Sequence, residues 1–218
     1  REGEVVVPAR LFSDVVRNLP DEELVVEAGE AAVKVSVARA AFSLNAWAAA
    51  DFPQTSTFDM TGAFTVGRGP FVETLNKVGR AASRDETRPI LTGVLMTIVG
   101  DTLKMVATDS YRLAVKETAL DHALESDVQA IVPVKALGEV ARLAGALGPG
   151  DIEVAVGENQ AVFRLKDPAG DVLIASRLIE GQFPAYERVI PQDVQKRMVV
   201  NRQHLYEAVR RASIVARA

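Results

Sequence analysis

A chain of 218 residues, 48% of them hydrophobic, is long enough to bury one good core or two modest ones. Cysteine is absent, which excludes a disulfide framework and any cysteine-based metal site and makes a reducing cytoplasm the expected compartment. With 25 Lys and Arg against 29 Asp and Glu, the net charge of −4 argues, taken whole, against nucleic-acid binding. The apolar runs fall far short of the ~20 residues that span a bilayer.

In chain order, the segment 5–19 (VVVPARLFSDVVRNL) carries an apolar run, a proline and then helical spacing in Leu11, Phe12, Val15, Val16 and Leu19. Strand alternation follows over 32–37, after the turn residues Gly29 and Glu30. A strand beginning at Phe64 leads into a helical stripe of Phe71, Val72, Leu75 and Val78, with Pro70 in the first turn, where its missing N–H costs nothing. Alternation returns over 93–99, 102–107 and 112–116, separated by Gly100-Asp101 and Asp109-Ser110. Then comes 130–144 (AIVPVKALGEVARLA), with Leu137, Val140, Leu143, Ala144 and Leu147 on one stripe. Strands at 152–156, 161–165 and 172–176 are divided by turns at 157–159 and 167–170, and a weaker stripe of Leu205, Val209 and Ala212 closes the chain. The predicted class is α+β, with few helices and antiparallel strands.

Two of these elements are written twice. Aligning 5–19 with 130–144 places Pro8 on Pro133 and Arg10 on Lys135, and each copy ends on a similar exit, ADFP at 50–53 and GQFP at 181–184. The strand at 63–66 with its helix recurs as 197–200 followed by Leu205, Tyr206 and Val209. The chain therefore reads as repeated half-modules, each one helix with a set of antiparallel strands, and only the middle module is complete. Residue 1 is Arg and residue 218 falls inside a helical pattern, so the chain is expected to be an excerpt of a longer one.

Sorted by element, the charge points the other way on nucleic acid. The helical windows 10–19, 69–84, 135–147 and 202–217 hold eleven basic residues, among them Arg10, Arg17, Lys77, Arg80, Arg84, Lys135, Arg142, Arg210 and Arg217, against four acidic ones. The strands and loops carry fourteen basic and twenty-five acidic residues. A repeated helix with an apolar inner stripe and a cationic outer face suits a surface that follows phosphates without reading bases.

The stretches RPILTGVL (88–95), VATDSYRLA (106–114), IVP (131–133) and GQFPAYERVIP (181–191) closely resemble the bacterial β sliding clamp family, the processivity subunit of DNA polymerase III. The resemblance runs along nearly the whole chain. It implies a DNA-clamp fold of three similar domains, with 1–54 as the second half of the first, 55–190 as the complete middle domain and 191–218 as the start of the third. It further implies a non-catalytic homodimer that closes as a ring around duplex DNA, basic helices inside and sheets outside. Such a ring tethers the replicative polymerase and the clamp loader through short peptide motifs and needs no cofactor. Carried over residue by residue, Arg10 and Lys135 match an inner-helix contact position, and Arg84 and Arg88 lie where helix and following loop face the hole. Arg80 and Arg142 complete the expected DNA-facing set. The partner-peptide pocket, which the family forms between its middle and third domains, maps to Leu91, Thr108, Ser110, Tyr111, Arg112, Leu113, Pro184, Arg188, Val189 and Ile190, its other wall being expected from the third domain's C-terminal tail.

Other classes compete poorly. Asp109-Ser110-Tyr111 offers a hydroxyl but no base beside it, the two histidines His122 and His204 stand apart, and no P-loop, GxGxxG or metal-ligand spacing occurs. A repeat-built protein-interaction scaffold without DNA binding is the alternative, and it predicts no segregation of charge onto the helices.

Overall fold

The structure, a computed structural model, describes residues 3–52, 59–124, 127–191, 193 and 195–216. The boundary expected at 54–55, Pro53 of the first exit motif and Arg217 of the last basic window lie outside the described residues. Two compact units divide the chain, Arg1–Phe58 and Asp59–Ala218.

The first unit is one helix on one meander. Helix α1 (Ala9–Arg17) is followed by β1 (Val25–Ala28), β2 (Ala32–Val37) and β3 (Ala40–Asn45), paired antiparallel in the order β1-β2-β3. Alternation along β2 buries Val33, Val35 and Val37 while Ala32 and Lys34 face outward. The stripe of α1, through Phe12 and Val15 with Leu19 just beyond, packs on Val33, Val35 and Leu44. The apolar run 5–7 ahead of α1 makes only a single bridge, Val6 to Trp47, rather than a strand.

The second unit contains β4 (Phe64–Gly67), α2 (Arg68–Val78), β5 (Gly93–Val99), β6 (Thr102–Thr108) and β7 (Leu113–Ala119). It continues with β8 (Val128–Pro133), α3 (Val134–Ala146), β9 (Asp151–Val156), β10 (Gln160–Leu165), β11 (Val172–Arg177) and α4 (Arg202–Val215). Two four-stranded antiparallel sheets result, β11-β10-β9-β4 and β7-β6-β5-β8. Each half runs strand, helix, three-strand meander, and each leading strand joins the meander of the other half: β4 pairs with β9, and β8 pairs with β5. This exchange is the physical form of the sequence repeat.

Helices α2 and α3 lie side by side over the core. Phe71, Leu75 and Val78 of α2 and Leu137, Val140 and Ala144 of α3 are buried against Met96, Ile98, Leu103 and Ile152. Phe71 meets Phe163 edge to face with ring centroids 6.2 Å apart. The helical stripe predicted over 69–84 is shorter in the structure. Helix α2 ends at Val78 and tightens into a 3-10 turn, Gly79–Ala81, after which the Ser83 N–H turns away to the Leu91 carbonyl at 2.8 Å.

One buried cation ties the two halves together. Arg68, 5% exposed, donates from Nε to the Asp151 carbonyl at 3.3 Å and from Nη1 to those of Leu147 and Gly148 at 3.4 and 3.5 Å. Its Nη2 donates to the Lys166 carbonyl. The guanidinium thus caps the C-terminal end of α3, where carbonyls lack helical partners and a cation is favoured. Gly150, at φ +146°, leaves the space: a Cβ there would sit 3.0 Å from the Arg68 Cζ.

Helix α4 starts at Asn201, whose side chain accepts from the Gln203 and His204 N–H groups at 2.9 and 3.2 Å, a regular N-cap. The stretch 197–200 before it, an Arg followed by three apolar residues, forms no strand, and Val199 is 92% exposed.

Candidate functional site

The sheet β7-β6-β5-β8 has two covered faces. One lies under α2 and α3; the other is crossed by the chain leaving β11. Ile179 donates its N–H to the Ile131 carbonyl of β8 at 2.8 Å, and Ile179, Phe183 and Tyr186 then pack on Leu95, Val106, Ile131 and Leu113. Two glycines make the crossing possible. A Cβ on Gly93 would stand 2.5 Å from Ile131 and 2.9 Å from Ile179, and one on Gly181, at φ +126°, would stand 2.7 Å from Ile90.

Where this strap meets the β6–β7 turn, a groove of about 630 Å³ opens. One wall is Leu91, Thr108, Ser110, Tyr111, Arg112 and Leu113; the other is Pro184, Ala185, Tyr186, Val189, Ile190 and Pro191. The turn is held by its own carboxylate. Asp109 Oδ1 accepts the N–H groups of Tyr111 and Arg112, both at 3.0 Å, and Oδ2 accepts Arg112 Nε at 2.9 Å. Those backbone donors, with the Arg112 guanidinium, hold the Asp109 carboxyl below the usual carboxylate range. Thr108 Oγ1 donates to the Arg112 carbonyl at 2.8 Å and accepts the Ser110 N–H at 3.1 Å. Ser110 takes φ +80°, which costs a residue with a Cβ and leaves Tyr111 projecting, 96% exposed. The groove thus has largely aliphatic walls with Tyr186 in one of them, the Tyr111 ring at its rim and one oriented guanidinium, the chemistry of a site for an extended peptide with an apolar anchor.

The second candidate surface is the α2–α3 face. A channel of about 950 Å³ between the helices is floored by Val72, Leu75, Val134 and Ala141, and Arg80, Arg84 and Arg142 line it. A hollow of about 610 Å³ shares Arg84 and extends to Lys135. Two of these cations have local partners: Lys135 Nζ lies 2.8 Å from Glu86, and Arg142 Nε donates to Glu139 at 2.9 Å. The contact lowers the Glu86 carboxyl and raises the Lys135 ammonium. Among the described residues Arg80 and Arg84 have no ion-pair partner. Arg112 lines this channel as well as the groove, so the two surfaces meet at one side chain.

Nine of the ten expected pocket residues line the groove together; Arg188 is exposed and does not. Of the expected DNA-facing residues in this unit, Arg80, Arg84, Lys135 and Arg142 share the helix face. Arg88 lies elsewhere, its Nε 3.2 Å from Asp85 and its Nη1 donating to Ser110 Oγ at 3.2 Å, behind the groove's turn. Arg10 sits exposed on α1 of the first unit. Three lining residues, Ala185, Tyr186 and Pro191, were not expected from the sequence, nor was Asp109, which holds the turn without lining the groove. Tyr186 lies within the 181–191 stretch, and Asp109 stands two and three residues ahead of the amides it accepts, which is the signal of an Asx turn. Among the described residues no cluster of three metal-ligating side chains occurs, and no helix is long and apolar enough to cross a membrane.

Comparison with known proteins is consistent along the chain. The model for the central domain of the DNA polymerase III beta subunit matches residues 65–185, and that for its N-terminal domain matches 1–56. The beta sliding clamp of Micrococcus luteus is 34% identical over 217 residues, covering 98% of this chain and 68% of that protein. The beta sliding clamp of Pseudomonas aeruginosa is 31% identical over 215 residues, covering 98% of this chain and 57% of that protein. The crystal structure of the Bacillus subtilis DNA polymerase sliding clamp superposes with a TM-score of 0.88 at 28% identity, over 98% of this chain and 55% of that one. A Pseudomonas aeruginosa clamp bound to griselimycin gives 0.86 at 30% identity, over 97% and 56%. The chain thus spans a little over half the length of most of these relatives.

Proposed function

The chain belongs to the DNA polymerase III beta subunit family, and on that premise we propose that it is part of a sliding clamp that encircles duplex DNA and tethers the replicative polymerase for processive synthesis. Residues 1–54 are the second half of a first clamp domain, 55–190 the middle domain and 191–218 the opening of a third. The intact protein closes as a homodimeric ring in the cytoplasm, acts without catalysing a reaction, and takes the polymerase and clamp loader by short peptides seated in the Leu113 groove.

The observation that carries this reading is the paired helix face. Arg80 in the 3-10 turn that ends α2, Arg84 in the loop after it, and Lys135 and Arg142 on α3 line adjoining hollows beside two helices whose inner stripes are buried in the core, so the cations gather on one surface. Such a surface attracts phosphates of any sequence. A scaffold that binds protein alone has no use for it.

Primer extension tests the proposal. With the polymerase that naturally accompanies it, the intact protein should lengthen the products made in one binding event. Products of unchanged length in the presence of the clamp loader would refute it.

A further inference from the structure

The strap that walls the Leu113 groove has a second groove on its far side. This one, of about 650 Å³, lies over the outer face of β5, β6 and β7, with Leu95, Val99 and Phe183 as apolar floor. Pro184, Ala185 and Tyr186 line both grooves, so a chain leaving one enters the other by crossing only this short ridge, of which Pro184 and Ala185 are exposed. The charges of the second groove are unequal. Lys104 Nζ lies 2.9 Å from Glu117 Oε1, and Glu187 adds a second carboxylate to the lining among Thr97, Thr102, Gln129 and Gln182, two carboxylates to one ammonium. The close Glu117 carboxylate holds the Lys104 ammonium above its ordinary value.

From this continuity and charge we infer that the second groove receives a basic flank, lysine or arginine, of the same partner peptide whose apolar anchor seats at Leu113. The inference rests on the peptide-groove reading above and deepens it: the anchor supplies affinity and the flank discriminates among partners. An acidic flank would face Glu187 and Glu117 and be disfavoured.

The test uses the intact protein and synthetic peptides built on a glutamine head and an apolar pair, flanked by lysines, by glutamines or by glutamates, titrated by fluorescence anisotropy at low salt. The lysine-flanked peptide should bind about threefold or more tighter than the glutamate-flanked one, as expected for exposed charge pairs. The difference should shrink in high salt, where the Debye length falls to about 3 Å. In Glu187→Gln and Glu117→Gln together it should be lost and turn toward the glutamate flank, because Lys104 then stands without its carboxylates, with the glutamine-flanked affinity retained. Equal binding of all three peptides, with Leu113→Ala weakening each, would overturn the flank inference and leave the groove standing. A lysine preference that survives the double substitution would overturn it too. Failure of every peptide to bind would remove the groove reading, and this inference with it.

Discussion

Asp109 fixes Arg112 twice, through the backbone N–H at 3.0 Å and through Nε at 2.9 Å, and Arg112 is the side chain shared by the Leu113 groove and the α2–α3 channel. The turn therefore sets both how the groove is shaped and where one cation points. Asp109→Ala should free the turn, and peptide affinity should fall without a change in far-ultraviolet circular dichroism. The pH dependence has a definite sign. The Asp109 carboxyl is depressed in the folded protein, so its contribution is complete above the unfolded value near ~3.9 and lost as pH falls through the lower folded one. The amide shifts of Tyr111 and Arg112, followed by NMR, should stay constant from neutral pH down to about 4 and move only below it. A titration centred near neutrality would contradict this.

Leu113 is half-buried between the strap and the groove. Leu113→Ala should weaken an anchoring peptide by on the order of 2 kcal/mol, or about thirtyfold. Leu113→Asp should cost more, because the carboxylate would be desolvated without a partner. Peptide titration on the intact, folded variants is the measure, and unchanged affinity in both would remove the groove assignment.

On the helix face, Arg80 and Arg84 lack, among the described residues, the carboxylate partners that Lys135 and Arg142 have. Exposed pairs are weak, so a phosphate can displace them, but each displacement returns part of the gain. Arg80→Ala or Arg84→Ala should lower the slope of log affinity against log salt by about one unit, and Lys135→Ala by less. Glu86→Gln should strengthen DNA association by freeing Lys135. A loss that depended on base sequence would count against a phosphate-following surface.

Arg68→Met removes the donor to four backbone carbonyls that the fold keeps together. Leaving them unpaired should cost about 3 kcal/mol, seen as a lower urea midpoint. Arg68→Lys should recover little, since an ammonium cannot reach four carbonyls arranged around a planar fork. A midpoint equal to that of the parent protein would show that water replaces the guanidinium.

The sequence made some of this legible and hid the rest for physical reasons. Alternation at 32–37 and 93–99 coincides with β2 and β5, because half the side chains of β2 meet the core and half do not, and β5 has its two faces in different surroundings. Strand β8 shows no alternation: Ala130, Ile131 and Val132 are all buried, between the core on one side and the strap on the other. The run 197–200 has strand composition but finds no partner strand among the described residues. Arg68 reads as an ordinary cation ahead of Gly69 and Pro70, and only the fold brings Leu147, Asp151 and Lys166 around it. In the 3-10 turn Tyr186–Val189 the first and fourth side chains line up on one side. Tyr186 and Val189 therefore line the groove, while Glu187 and Arg188 do not. Arg88 reads as a loop cation; Asp85, three residues earlier, is a local partner, whereas only the fold brings Ser110 to it.

The central claim is topological, and retention on circular DNA addresses it most directly. Loaded onto a nicked circular plasmid, the intact protein should remain bound through gel filtration in moderate salt and be released when the plasmid is cut once. Equal retention on circular and linear DNA, or loss from both, would contradict an encircling clamp.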